Sequence, residues 1–240
     1  MKTRFLALAG AAGLLLTFCL PAPAALTTVS QSYSPSMPIP DYTPTGVGIW
    51  DSRTFSMPGA TSISSLDVTL NIQGGYNGDY YAFLRCNNGG FCVLLNRVGV
   101  TDASNPGDPG YADSGLNVTF SDSASNGDIH LYQNVLNPGG SALTGTWQPD
   151  GRIDDPALVK ASSQRPDMLS SFNGVNPNGL WTLFVIDNSP GFNGTLESWG
   201  LSVTANVVAV PELSTGFVGL LALAFTALWP VLWSGRRGAC

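Results

Sequence analysis

Four runs of this chain alternate apolar and polar residues with a period of two, and that rhythm restricts what it can fold into. Leu66, Val68, Leu70 and Ile72 share one phase, as do Leu116, Val118 and Phe120. Trp181, Leu183 and Val185 form a third set, and Trp199, Leu201 and Val203 a fourth. Side chains on an extended strand point alternately to opposite faces, so each run predicts a strand with one buried side. No convincing amphipathic helix interrupts residues 25–206. The 28 glycines and 17 prolines cluster between the runs, as in "NPGGSALTGTWQPDGRIDDP", where they supply turn geometry. The pattern predicts an all-β fold, an antiparallel β-sandwich of jelly-roll type. With 44% of residues hydrophobic and falling in periodic runs, disorder is a poor explanation.

Both ends of the chain carry address signals. Lys2 and Arg4 precede an apolar stretch from Phe5 to Leu20, and Ala22-Pro23-Ala24 follows as a small-residue cleavage site. Residues 1–24 are thus predicted to be a signal peptide cut after Ala24. At the other end, residues 217–233 hold no charge and precede Arg236 and Arg237. That run is just long enough to span a bilayer, with the arginines on the cytoplasmic side. The order Val-Pro-Glu (Pro211, Glu212), apolar helix, arginine pair resembles the PEP-CTERM sorting signal of exopolysaccharide-producing Gram-negative bacteria. The resemblance implies processing by an exosortase near Glu212, then export to the outer surface or matrix. A plain C-terminal anchor is the alternative. Between the ends lie a Ser/Pro-rich leader or edge segment (25–45) and the sandwich itself (46–206), with the sorting signal at 210–240.

Removing Lys2, Arg4, Arg236, Arg237 and Glu212 leaves six basic and fifteen acidic residues, a net charge of −9. So acidic a domain argues against nucleic acid and anionic lipid as partners, since both would repel it, and is compatible with divalent cations. Cys86 and Cys92, in "RCNNGGFC", are expected to form a disulfide across a strand-to-strand tip in an oxidising compartment.

The stretch "NGLWTLFVIDNSPGFNGTLESWGLSV" reads as a hairpin with an acid at each lip of its turn. Asp187 continues the phase of Trp181, and Glu197 that of Trp199. Asp122 similarly follows Phe120, and Asp79 leaves the Gly-rich turn "YNGD" that joins "LDVTLNI" to "YYAFLR" in a second expected hairpin. Buried carboxylates need a cation or strong donors. The set Asp79, Asp122, Asp187 and Glu197 therefore reads either as a Ca²⁺ site or as four turn caps.

From about Pro38 to Thr204 the chain resembles the P domain (P/Homo B), the module that follows the catalytic domain in kexin- and furin-type subtilisin-like proteases. The resemblance rests on "ISSLDVTLNI" with "GDYYAFL", "LNVTFSDSA", "TGTWQPDG", "LSSFNGVNPNGLWTLFVIDN" and "GTLESWGLSV", in the family's order. It implies a jelly-roll sandwich and, as in some members, bound calcium, with Asp79, Asp122 and Asp187 at acidic positions of the motif. Two departures stand out: "QGGYNGD" lacks the usual histidine, and "CNNGGFC" replaces the usual tip turn.

Catalysis is not expected. Subtilisin-type chemistry needs histidine, aspartate and serine on a separate α/β domain, and the single histidine, His130, reads as a surface or turn residue. Two functions stand: an exported binding or adhesion module in the envelope or exopolysaccharide matrix, or an accessory in trans to a subtilisin-like serine endopeptidase. Tyr76, Tyr80, Tyr111 and Tyr132 are the aromatics available to stack on sugars under the first. A large apolar edge left unmatched would favour the second.

Overall fold

Ten strands and three short 3-10 turns build two sheets around one core in the computed structural model, which describes residues 25–208. The first sheet contains β1 (Ala25–Tyr33), β2 (Met37–Pro38), β4 (Ala60–Gly74), β7 (Leu116–Phe120), β8 (Leu143–Trp147) and β10 (Gly194–Val207). Its order is β1-β10-β4-β7-β8, with β2 also pairing β10. The second contains β3 (Ile49–Phe55), β5 (Tyr80–Cys86), β6 (Phe91–Asn96) and β9 (Gly179–Asp187), in the order β3-β9-β5-β6. Every pairing is antiparallel except β7 with β8, which is parallel. The signal peptide with Ala24, the Pro211-Glu212 pair, the 217–233 run and Arg236 and Arg237 lie outside the described residues. Among the described residues no helix is long and apolar enough to cross a membrane.

The four alternating runs are strands, and each buries its apolar phase. Leu66, Val68, Leu70 and Ile72 meet Leu116, Val118 and Phe120 on the inner face of the first sheet. Trp181, Leu183 and Val185 line the second, and Trp199, Leu201 and Val203 return to the first. The two layers are also tied by one polar contact, because Trp199 Nε1 donates to Asp51 Oδ2 on β3 at 2.7 Å.

The expected hairpins are not hairpins. β9 and β10 are consecutive but belong to different sheets, and so do β4 and β5. The partners of β9 are β3 and β5, while β10 lies between β1 and β4. Alternation states which face of a strand is buried and is silent about which neighbour carries the ladder. Two tryptophan-bearing faces bury more surface against each other across a sandwich than side by side.

Strand phase also fails at one residue. A register shift between Leu196 and Ser198 in the β10–β4 ladder makes a bulge. Leu196 therefore turns inward beside Ile72, and Glu197 leaves the core to become half-buried. An extra residue in one strand flips every side chain before it, which is why counting by twos back from Trp199 misplaces Glu197.

The disulfide expected between Cys86 and Cys92 is not formed; both are free, buried thiols. Register gives the reason. Cys92 lies opposite Leu84 and Phe91 opposite Arg85, so the two cysteines are diagonal neighbours, farther apart than a directly opposed pair. Burial raises both thiols above their ordinary range. The phase assignment predicts that Leu70→Ala lowers unfolding free energy by about 2–5 kcal/mol, whereas Thr69→Ala on the outer face changes it by less than about 0.5 kcal/mol. Urea unfolding of the two variants measures this directly.

Candidate functional site

Register brings two of the four predicted acids together. Asp187 ends β9 opposite Tyr80, and Asp79 immediately precedes Tyr80. The Asn188 amide donates to the Asp79 carbonyl at 2.8 Å, holding the strand end against the turn. Both carboxylates are buried, with 4% of Asp79 and 2% of Asp187 exposed. Asp187 Oδ1 accepts the Ser189 amide at 3.0 Å, whereas its Oδ2 is buried without any partner. Burial, then the neighbouring Asp187 charge, raises Asp79 to about 7, against the lowering pull of Arg97. Burial, helped by the Asp41 charge, raises Asp187 to about 6. Asp41 comes from the segment after β2, and its Oδ1 accepts the Gly191 amide at 3.0 Å, so three chain segments meet here.

Asp122 and Glu197 do not join them. Asp122 caps the 3-10 turn Leu169–Phe172, accepting the Leu169 and Ser170 amides at 3.0 and 2.7 Å. Glu197 accepts the Ser36 hydroxyl at 3.3 Å from its position on the bulge. The predicted quartet is therefore a pair plus two separate acids. Among the described residues no three acidic, histidine or cysteine side chains converge as a metal site. The turn-capping alternative describes Asp122. It describes Asp187 in part, since Oδ1 caps the turn through the Ser189 amide while Oδ2 stays buried without a partner.

His130 is not a surface residue. It is fully buried, with Nδ1 2.8 Å from Asp150 Oδ2 and Nε2 2.8 Å from the Val100 carbonyl. Asp150 also accepts the Asn96 amide and the Arg152 guanidinium, which in turn reaches Asp128. Both ring nitrogens are engaged, so the histidine is closed to substrate and to any nucleophile. Two of the tyrosines considered for sugar stacking, Tyr80 and Tyr132, are also fully buried. Tyr111 packs on Tyr132, and Tyr76 on Phe192.

A row of aromatics, half-buried apart from the exposed Trp50, lies on the outer face of the second sheet. Trp50 on β3 stands opposite Phe184 on β9, and Phe184 opposite Phe83 on β5. Their ring centroids are 4.4 and 5.0 Å apart, and Phe91 on β6 continues the row 5.0 Å from Phe83. Tyr81 flanks Phe83, and the Arg85 guanidinium lies 5.3 Å over Trp50. Trp50 is 52% and Leu180 44% exposed. Gly48 makes room for the Phe184 ring, since any side chain there would run into it. Alternation alone hides this face, because its aromatics occupy positions that the period-two rule assigns to solvent. The sequence signal that reveals it is "WTLFVI" and "YYAF", apolar in both phases.

Residues 157–203 match the family model of the proprotein convertase P-domain. No curated protein matches the chain. Among solved structures it resembles the serine protease of Aeromonas sobria in complex with the chaperone ORF2, with 15% identity and a TM-score of 0.42. That match covers 76% of this chain and 27% of that one. The serine protease of Aeromonas sobria alone gives 14% identity and a TM-score of 0.40, over 78% of this chain and 28% of that one. The chain thus aligns with little more than a quarter of either.

The raised acids set a pH dependence. A carboxyl held above its unfolded value of about 3.9 binds more protons in the folded state. Metal-free protein should therefore lose stability as pH rises from about 4 through the values near 6 and 7. Thermal melts in EDTA across pH 4–8 are expected to show this decline, and Asp187→Asn to flatten it.

Proposed function

We propose that this chain is an exported, non-catalytic accessory module that docks on a separate subtilisin-like serine endopeptidase. The observation that carries the reading is the aromatic outer face of the second sheet, which spans all four strands and leaves Trp50 half open to solvent. Apolar surface of that extent is unusual on a protein that works alone, and aromatic and arginine side chains are those that anchor protein interfaces. The P-domain match over residues 157–203 supplies the partner class, because P domains accompany catalytic domains of that kind. The full chain, immobilised and exposed to the organism's envelope and secreted fractions, should retain a subtilisin-like protease identified by mass spectrometry. Trp50→Ala should reduce retention at least about tenfold while the variant still unfolds in one cooperative transition above the assay temperature. Retention that is absent, or equal for both proteins, removes this function.

A second reading, adhesion in the envelope or exopolysaccharide matrix, is favoured by the Val-Pro-Glu, apolar run and arginine pair of residues 210–240. On this reading an exosortase cuts near Glu212 and the domain leaves the membrane for the outer surface. Intact-mass analysis of natively purified protein should find the chain ending near residue 212, whereas a chain running to Cys240 would indicate a plain anchor.

Calcium belongs to the proposal at the Asp79–Asp187 pair. Two carboxylates, one with an unpartnered buried oxygen, suit a hard cation that completes its six to eight ligands with carbonyls and water. A bound Ca²⁺ would supply the positive charge the pair lacks. Its addition to the EDTA-treated protein should reverse the pH trend above and restore the melting temperature near pH 7. An unchanged melt removes the cation.

A further inference from the structure

The second phase of β4 reads Ser65, Asp67, Thr69, Asn71, polar throughout and facing away from the core. Where β4 passes the turn after β7, a cleft of about 280 Å³ opens, walled by β4, residues 121–123 and the 3-10 turn Leu169–Phe172 with Asn173 beyond it. The capping bonds of Asp122 to the Leu169 and Ser170 amides fix that third wall. Leu66 and Leu169 are the apolar residues of the lining; five serine hydroxyls, the Asn173 amide and two carboxylates supply the rest. Asp122 is occupied by its amides. Asp67 has neither a salt bridge nor a side-chain hydrogen bond among the described residues.

The cleft is not isolated. Asp67 lies opposite Ser202 on β10, and Ser202 opposite Ser30 on β1, whose hydroxyl donates to Ser202 at 2.9 Å. Ser65 lies likewise opposite Thr204, and Thr204 opposite Thr28, with hydroxyl oxygens 2.7 Å apart. Two rows of hydroxyls thus run from the cleft across the sheet to its edge strand.

We propose that this cleft binds a sugar residue of a neutral or amino-substituted glycan, and that the hydroxyl rows carry the chain onward over β10 and β1. The volume lies near the lower end of small-ligand sites and suits one sugar ring. A half-buried carboxylate without a partner asks for donors, and a pair of ligand hydroxyls or an ammonium group supplies them. Serine hydroxyls both donate and accept, which matches sugar hydroxyls that do the same. The lining contains no lysine or arginine, so a uronate, sulfated or phosphorylated sugar would meet two uncompensated carboxylates. Several weak contacts repeated along a polymer add through effective concentration, which offsets the shallowness of each. The site shares no residue with the aromatic face and does not depend on protease docking.

The test uses the full chain in a non-glycosidic zwitterionic detergent, since alkyl glycosides would compete. Calorimetric titration with glucosamine hexamer, cellohexaose and an alginate hexamer separates the amino, neutral and anionic classes. Saturable binding of the glucosamine hexamer or cellohexaose, with none of alginate, is the expected result. Asp67→Asn should weaken the glucosamine hexamer about tenfold or more. Ser64→Tyr, at an exposed rim position, should block whichever sugar binds while a thermal melt checks that the variant folds. No saturable binding of either sugar, alginate binding as tight as theirs, or affinities that neither variant changes would each overturn the proposal.

Discussion

The pairing of β10 with β4 is the constraint on which the rest of this structure depends. β10 runs for fourteen residues and carries β1 and β2 on one side and β4 on the other. Its register decides which side chains of four strands point inward. The bulge at Glu197 lies within that ladder and lets both Leu196 and Trp199 face the core although they are an odd three positions apart. Without it, Leu196 would face solvent and the end of the sandwich near Gly194 would lack a buried residue. That same end packs Tyr80, whose hydroxyl donates to the Gly74 carbonyl and whose backbone pairs with Asp187, and so supports the junction that sets Asp79 beside the end of β9.

The two outer faces of the sandwich have opposite chemistry. The six-stranded sheet shows solvent rows of serine, threonine and asparagine, with Asp67 as a free carboxylate among them. The four-stranded sheet shows a row of aromatic rings under one guanidinium. A hydroxyl surface stays hydrated and exchanges water for a polar ligand at little net cost, whereas an aromatic surface gains by leaving water altogether. The first suits a soluble polymer and the second a protein. On the readings proposed above, two partners would meet opposite faces of one small sandwich and would not compete.

Much of the strand content was legible because period-two alternation is a local property. Leu66 through Ile72 and Trp181 through Val185 announce their buried face without reference to anything else in the chain. Pairing was legible only at the tip "RCNNGGFC", which joins the antiparallel pair β5 and β6, and the other two expected hairpins were misassigned. Of the candidate site, Asp187 was found by phase and Asp79 by its place at the end of a turn, yet their meeting required the register of β9 against β5. Asp122 and Glu197 carried the same local signals and went elsewhere, one to amides of a 3-10 turn and one onto a bulge. His130 gave no signal at all, since the carboxylate and carbonyl that enclose it lie 20 and 30 residues away in sequence.

By itself the sequence determined the all-β class, the inner face of each regular strand and an acidic composition, because alternation and turn residues act through neighbours a few positions apart. Only the tertiary structure decided which strands share a sheet, where one extra residue inverts the phase, which acids meet and which aromatics stay outside. Those outcomes depend on contacts between residues far apart in the chain, and their free energies are settled by how two complete faces fit together.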